Sequence, residues 1–300
     1  MVKTFPLELI QLCIDNFVNS KKGVIMTYCL GIKVREGLVA LADTRITSGS
    51  DTSVTKKISI HHIEHGSVFL MTSGLRSVRD KAVTYFEESL DMEGGGFDKM
   101  YKVVNAFGSQ LRRVSSEDRD SLTASGLAFN LYTIVGGKLS NDKEHKLYLL
   151  YPEGNWIEIG QNSPFTIIGN SGYGKPILNR TLNFDSPIRF AVKTGFLSFD
   201  STRVSANDVG FPIDIVIYNQ TTGSLTEKRL EENEMEYISS LWDEKLTNII
   251  QEVPDTWIDD MKLLTNTVSN TGYNQNFQNN FQQMNQSTMI HQQSQNQQNH

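Results

Sequence analysis

The sequence of 300 residues is poor in cysteine, in positive charge and in long apolar runs. Its two cysteines, Cys13 and Cys29, are too few for a disulfide framework and favour a reducing compartment. A net charge of −6 argues against a nucleic-acid partner or an anionic membrane surface. No apolar run approaches the roughly 18 residues of a membrane span, and no basic segment precedes a long apolar stretch as in a secretory leader. We therefore expect a cytoplasmic protein without a nucleic-acid or membrane partner.

Composition divides the chain into three parts. Residues 1–26 have apolar residues at helical spacing, and we interpret this extension as a propeptide, a docking segment or a mis-assigned start that precedes a working start at Met26. Residues 27–266 have the composition of one globular domain. Residues 267–300 are dominated by Asn and Gln, which cannot bury enough apolar area to offset the entropy of ordering, so we predict a disordered tail. A self-associating tract is the alternative for this tail.

The hydrophobic pattern alternates between period two and helical spacing. It predicts strands at 27–34, 37–43, 57–63, 67–73, 126–135, 146–151, 156–159, 212–218 and 225–230. It predicts helices at 78–90, 100–111, after Gly174, at 188–199 and at 235–246. Groups of strands that alternate with pairs of helices indicate an α+β protein in which two stacked antiparallel sheets are covered by helices on both outer faces.

Thr27 opens the first predicted strand, and polar residues follow at the ends of the next strands. Threonine inside a chain is a poor nucleophile, but at a free N-terminus its own α-amine can act as its base. The reference pKa of that amine, about 7.7–8.0, suits general-base catalysis near neutral pH. A lysine ammonium nearby would favour the neutral amine, and an aspartate would hold the lysine in place.

Thr27, Asp43 and Lys57, with Gly74 after an apolar strand, resemble the active-site set of proteasome-type peptidases, which are N-terminal nucleophile hydrolases. The resemblance implies a four-layer αββα sandwich and a threonine endopeptidase in which Thr27 attacks, Lys57 tunes the amine, Asp43 orients Lys57 and the Gly74 N–H stabilises the oxyanion. Lys56 competes with Lys57 for this role. Further residues are expected to support the site: Arg45, Asn170, Ser171 and Asp208.

The match extends to the ancestral β-subunit (Anbu) group of bacterial proteins over about residues 26–265. It rests on Met26–Val34, Ala42–Arg45, Gly169–Leu178, Ser198–Thr202 and Gly210–Asp214. It implies a homo-oligomer, a ring or an open spiral, that acts on peptides or unfolded proteins, and it leaves open whether an unfoldase assists. The extension before Thr27 and the Asn/Gln tail depart from the group, so a non-catalytic assembly protein with Thr27 capped by residues 1–26 is the alternative function.

Two other motifs favour different chemistry but lack its structural context. His61–His65 matches the H-x-x-E-H motif of zinc peptidases, which needs a helix, whereas this stretch alternates like a strand. Gly169–Gly174 is rich in glycine but has no βαβ context for a dinucleotide. We therefore expect neither a metal nor a cofactor. Asp43 and Arg45 by themselves are compatible with a simple surface ion pair.

Overall fold

The computed structural model describes residues 27–48, 51–92 and 96–259. The predicted extension 1–26 and the predicted tail 267–300 lie outside these residues. The chain forms two compact units, residues 1–243 and 244–300. The first unit contains all the strands that the structure describes, and the described part of the second consists of the end of one helix and one helical turn.

The first of two five-stranded antiparallel sheets contains the strand with which Thr27 begins. Its strands, in spatial order, are β10 (Phe165–Gly169), β1 (Tyr28–Val34), β2 (Gly37–Asp43), β11 (Ile213–Asn219) and β12 (Leu225–Leu230). A tight turn at 35–36 joins β1 to β2, so that Val34 pairs with Gly37 and Cys29 pairs with Ala42. Every residue of β1 and β2 is buried, because one face meets helices and the other meets the second sheet.

The strands of the second sheet lie side by side in chain order, although two helices separate the second from the third in the sequence. Its strands are β5 (Ile58–Ile63), β6 (Gly66–Gly74), β7 (Leu131–Leu139), β8 (Lys146–Leu150) and β9 (Trp156–Glu158). A separate two-stranded hairpin, β3 (Arg45–Ser48) with β4 (Asp51–Val54), links the first sheet to the second along the chain. Short turns at 64–65 and 140–145 join β5 to β6 and β7 to β8, as antiparallel neighbours allow, whereas residues 75–130 separate β6 from β7.

Helices complete the layers. The described helices are α1 (Arg76–Met92), α2 (Met100–Ala124), α3 (Lys175–Thr181), α4 (Ile188–Arg203), α5 (Glu232–Glu252) and α6 (Thr256–Asp259). One apolar cluster joins α1 and α2 to the second sheet, and another joins α3 and α4 to the first sheet. A third cluster, which includes Ala40, Phe69 and Ile134, lies between the two sheets. The expected four-layer αββα sandwich is therefore confirmed.

The element predictions were wrong in a few places. The strand expected at 126–135 begins only at Leu131, because residues 126–130 follow the C-terminal end of α2 as an irregular segment. The helix expected at 100–111 continues to Ala124, although its last turns are polar. Strands β3, β4 and β10 were not predicted. Within the described ranges, no helix has the length and apolar character needed to cross a bilayer.

Candidate active site

Thr27 and Asp43 meet because β1 and β2 are antiparallel neighbours. Thr27 directly precedes β1 and Asp43 ends β2, so the register that pairs Cys29 with Ala42 brings the two residues together. The Thr27 hydroxyl donates a hydrogen bond to Asp43 Oδ1 at 2.7 Å. The Tyr28 backbone N–H donates to the same oxygen at 2.8 Å. Asp43 is fully buried and Thr27 is 1 % exposed.

Lys57 is the lysine that reaches this carboxylate. It immediately precedes β5, and its Nζ donates to Asp43 Oδ1 at 2.7 Å and to the Arg45 carbonyl oxygen at 2.8 Å. Lys56 turns the other way, where its Nζ lies 2.6 Å from Glu227 Oε1 at the surface. Alternation along an extended chain accounts for this, since consecutive side chains point to opposite faces. The geometry therefore selects Lys57 over Lys56.

Arg45 contributes its backbone rather than its charge. Its guanidinium donates to the Asn207 carbonyl oxygen at 3.3 Å and lies against Gly210, where a Cβ atom would come within 2.4 Å of it. The surface ion pair considered for Asp43 and Arg45 is therefore wrong. The segment 207–210 instead fixes Arg45, and the Arg45 carbonyl in turn accepts a hydrogen bond from Lys57.

The Asp43 carboxylate is unevenly partnered. Thr27, Tyr28 and Lys57 all donate to Oδ1, whereas Oδ2 is buried and has no hydrogen-bond partner among the described residues. Burial raises the pKa of Asp43, and the Lys57 ammonium and the other donors oppose that rise. The neighbouring thiol of Cys29 is not an alternative nucleophile, because burial raises its pKa to about 12.

A turn after β10 holds the backbone of Thr27. The Asn170 N–H donates to the Thr27 carbonyl oxygen at 2.7 Å. A Cβ atom on Gly169 would lie 2.0 Å from that oxygen, so only glycine allows the two chains to approach this closely. Ser171 follows in the same turn and is half-buried. Asp208 is half-buried in the turn after α4, and the structure records no hydrogen bond from it to Thr27, Asp43 or Lys57.

A second anchor lies behind Thr27 and was not assigned from the sequence. The buried Tyr28 hydroxyl shares a 2.6 Å hydrogen bond with Ser198 Oγ on α4. The start of α3 packs on the same point, because a Cβ atom on Gly174 would lie 2.3 Å from Ser198 Oγ and 2.9 Å from Thr202 Oγ1. The motifs around Gly174 and Ser198 thus meet at Ser198, which bonds to Tyr28. Their joint occurrence in the sequence was a signal for this anchor, but the sequence alone assigned it no role.

A cleft opens beside Thr27. Lys57 lines it on one side, and the end of β6 with the start of α1 forms the rest, namely Thr72, Ser73, Gly74, Arg76 and Arg79. The structure thus brings four predicted residues, Thr27, Asp43, Lys57 and Gly74, to one end of the sandwich. A hydroxyl, a buried ion pair and the backbone at the end of a strand, all at one cleft, are groups that acyl transfer uses.

The structure offers no support for a metal at the histidine motif. His61 and His62 lie on β5, where alternation buries His61 and exposes His62, and Glu64 and His65 form the following turn. Among the residues that the structure describes, no three His, Cys, Asp or Glu side chains are grouped so that they could hold a metal ion.

Comparisons with known proteins agree with this geometry. The family model described as proteasome subunit matches residues 26–216. An Anbu (Gly-1) mutant from Hyphomicrobium sp. strain MC1 is 32 % identical, with a TM-score of 0.69 over 76 % of this chain and 99 % of its own. Anbu from Yersinia bercovieri is 29 % identical, with a TM-score of 0.69 over 76 % of this chain and 98 % of its own.

A third solved relative is described as a helical assembly of the Anbu complex from Pseudomonas aeruginosa. It is 26 % identical, with a TM-score of 0.71 over 76 % of this chain and 97 % of its own. No functionally curated protein matches the sequence. The family match, the sandwich and the position of Thr27 at the head of β1 lead to one conclusion: the chain belongs to the proteasome subunit family and, within it, to the Anbu group.

Proposed function

We propose that the protein is an N-terminal threonine endopeptidase that cleaves peptide bonds with Thr27 as the nucleophile. The observation that supports this most strongly is that Thr27 and Lys57 both donate to Asp43 Oδ1, at 2.7 Å each, beside a cleft that ends at Gly74. In this chain the Thr27 nitrogen belongs to the peptide bond with Met26. The active form is therefore one in which residues 1–26 are absent and Thr27 has a free amine, with residues 27–266 as the catalytic domain.

Each residue has a defined part in the reaction. The α-amine takes the proton from Thr27 Oγ, and Oγ forms a bond to the carbonyl carbon of the substrate. The Lys57 ammonium favours the neutral amine, and Asp43 holds Lys57. The Gly74 N–H stabilises the oxyanion, and the amine then protonates the leaving nitrogen so that the acyl-enzyme forms. Water hydrolyses this ester and releases Thr27 unchanged.

Hydrolysis of a fluorogenic peptide library tests the proposal. A protein with Thr27 as its first residue should cleave peptides, whereas the chain that retains residues 1–26 should not, because an amide nitrogen accepts no proton near neutral pH. Thr27→Ala should abolish cleavage and Thr27→Ser should retain part of it. Lys56→Ala is the matched control for Lys57→Ala and should stay near full activity. Equal activity of the two chain forms would contradict the mechanism.

A non-catalytic assembly protein is the second candidate. It is supported by the engagement of the Thr27 hydroxyl with Asp43 and by the 1 % exposure of Thr27 while its nitrogen is in a peptide bond. Mass spectrometry of the N-terminus from native cells separates the two candidates. A mature N-terminus at Thr27 supports the peptidase, and an N-terminus upstream of Thr27 supports the assembly protein.

Self-association into a ring or an open spiral is part of both candidates. The relative from Pseudomonas aeruginosa is described as a helical assembly. In addition, the part of α5 in the first unit has no buried residue and exposes apolar side chains, Tyr237 at 73 % and Ile238 at 36 %. Exposed apolar surface of this kind is typical of a protein–protein contact. Analytical ultracentrifugation at micromolar concentration should give a multi-subunit species, and a monomer would contradict this part.

A further inference from the structure

The cleft beside Thr27 has an unusual concentration of positive charge for an acidic protein. Three of its lining residues are cationic, Lys57, Arg76 and Arg79, whereas the whole chain carries a net charge of −6. Two carboxylates contact these cations, Asp43 on Lys57 and Asp80 on both arginines. One positive charge therefore remains in excess around the cleft.

The two arginines differ in how much of their hydrogen-bonding capacity is used. Arg79 is 18 % exposed, and its guanidinium donates to Asp80 Oδ1 through two nitrogens, at 2.8 and 2.6 Å, and to the Lys56 carbonyl oxygen at 3.2 Å. Arg76 is 62 % exposed and makes a single bond, from Nε to Asp80 Oδ2 at 3.3 Å. Its two terminal nitrogens donate to no described residue, so a residue that lines the cleft keeps a planar pair of donors available for a ligand.

A ligand carboxylate can compete for Arg76 at low cost. The Arg76–Asp80 pair is exposed and spans one helical turn, and such pairs contribute only about 0.3–0.5 kcal/mol. A bidentate bond from a guanidinium to a carboxylate is shorter and stronger than a neutral hydrogen bond. The first turn of α1 contains no acidic residue of its own, so Asp80, which the two arginines already neutralise, is the carboxylate with which a ligand must compete.

We propose that Arg76, together with Arg79, selects substrates that present an acidic side chain, Asp or Glu, on the residue whose carbonyl Thr27 attacks. This inference rests on the proposed peptidase function and adds its substrate class. Arg79 carries its charge in a fixed position against Asp80 and the backbone, and Arg76 supplies the bidentate contact. The overall charge of the protein cannot produce such a preference, because a net charge of −6 repels an acidic peptide.

The test compares peptides that differ only at the residue before the cleaved bond, with Asp, Asn, Glu, Gln, Leu or Lys there. For a protein with Thr27 as its first residue, kcat/KM should be about tenfold higher for Asp than for its isostere Asn, the ratio expected for one charge-assisted bond. The Asp/Asn ratio should fall towards one in Arg76→Gln, recover in part in Arg76→Lys and drop below one in Arg76→Glu. Added salt should also reduce it.

Arg189→Gln is the matched control. Arg189 is also an exposed arginine in the first turn of a helix, α4. The preceding residue, Ile188, donates its N–H to Glu36 in the β1–β2 turn. This turn is at the opposite end of β1 and β2 from Asp43. The Asp/Asn ratio should be unchanged in this variant. An Asp/Asn ratio near one in a protein that cleaves the Leu peptide would overturn the acidic preference and leave the peptidase proposal intact.

Peptide binding separates the two proposals if the protein with Thr27 as its first residue hydrolyses no peptide. In a Thr27→Ala protein that begins at residue 27, the Asp peptide should bind about tenfold more tightly than the Asn peptide, measured by fluorescence anisotropy. Acid-selective binding without any hydrolysis by the Thr27 protein would refute the peptidase proposal and support the cationic cleft. Equal binding of the two peptides would refute the cationic cleft.

Discussion

Near each end of strand β1, a buried lysine is paired with a carboxylate. The two pairs differ in the other groups that they contact. At the start of β1, Lys57 is 6 % exposed, Asp43 is fully buried, and both Lys57 and Thr27 bond to one Asp43 oxygen. Near its end, Lys33 is 2 % exposed but lies 3.2 Å from Glu144 and 3.8 Å from Glu158, which are 42 % and 38 % exposed.

The difference shows that a buried lysine is not by itself a sign of catalysis. Lys33 and Lys146 share the two glutamates, which keep part of their surface in water. This cluster therefore stabilises the sandwich without orienting a nucleophile. At the Thr27 end the carboxylate is withdrawn from water, the lysine also bonds to a backbone carbonyl, and the third partner is a hydroxyl beside a cleft. We interpret the shared oxygen of Asp43 as the feature that distinguishes a reactive pair from a structural one.

The largest expected effects come from replacing each of the two lysines with alanine. In the processed protein, Lys57→Ala should lower kcat/KM by roughly 10³ or more, because the amine loses the ammonium that keeps it neutral. Lys33→Ala should lower the free energy of unfolding by roughly 1–3 kcal/mol, less than a fully buried pair, and leave kcat/KM within about twofold. Peptide hydrolysis and urea unfolding measure both. The interpretation fails if Lys33→Ala lowers activity as much as Lys57→Ala does.

A pair of glycines allows a finer comparison. Gly74 has a φ of +145°, and a Cβ atom added to it would lie 1.8 Å from the Asn130 carbonyl oxygen. Gly37 has a φ of +157°, and a Cβ atom added to it would lie 1.9 Å from the Tyr218 carbonyl oxygen. Alanine should therefore strain both positions and destabilise the fold by roughly 1–3 kcal/mol each. Only Gly74→Ala should also lower kcat in the folded fraction, by about 10²–10³, because it displaces an oxyanion donor.

Thermal unfolding and kcat, measured on the same samples below the unfolding range, check this pair. Gly37→Ala serves as the control for strain, since it lies at the opposite end of β2 from Asp43. An equal loss of kcat in the two variants would show that the effect of Gly74→Ala arises from strain and not from the oxyanion.

The smallest expected effect is a pH dependence of stability, to which the Lys33 end contributes through His145 and β5 contributes through the buried His61. Burial lowers the pKa of His145, which bonds to Val34 and Gln220 and faces Lys33 and Glu144. Below about pH 6.5 the unfolded chain binds a proton that the folded protein resists, so stability falls as the pH falls, by at most about 1.4 kcal/mol per unit. Urea unfolding at several pH values should show this slope, reduced in His145→Gln.

His65→Gln is the control for this measurement, because His65 lies in the turn between β5 and β6. Its slope should equal that of the unmodified protein. If His145→Gln retained the full slope, the loss of stability on acidification would not arise from His145. Peptide hydrolysis is not the readout here, since the amine of Thr27 titrates separately.

The sequence predicted the strands near the site better than the segments between them. The predicted bounds of β1, β2, β5 and β6 agree with the structure to within a residue or so, because burial against helices on one face and the other sheet on the opposite face makes these strands apolar between polar turns. The hairpin β3–β4 was missed, since its polar residues show no apolar alternation. The strand expected from residue 126 was assigned too early, because local pattern does not reveal where a helix such as α2 ends.

Part of the candidate site could also be predicted from the strands. Thr27, Asp43, Lys57 and Gly74 lie at strand ends, where position along the chain translates into position in space. Lys56 and Lys57 were hard to separate from spacing alone, and strand alternation in the structure separates them. The Tyr28–Ser198 bond and the arginines of α1 depend on how distant elements pack, which spacing along the chain cannot supply.

Labelling with a peptide epoxyketone tests the central claim most directly, because this reagent needs both a threonine hydroxyl and a free α-amine on the same residue. Protein with Thr27 as its first residue should gain one adduct, mapped to Thr27 by mass spectrometry, and Lys57→Ala should gain it far more slowly than Lys33→Ala. The chain that retains residues 1–26 should gain none. An adduct on the unprocessed chain at the same rate, or no adduct on the processed protein, would contradict the account.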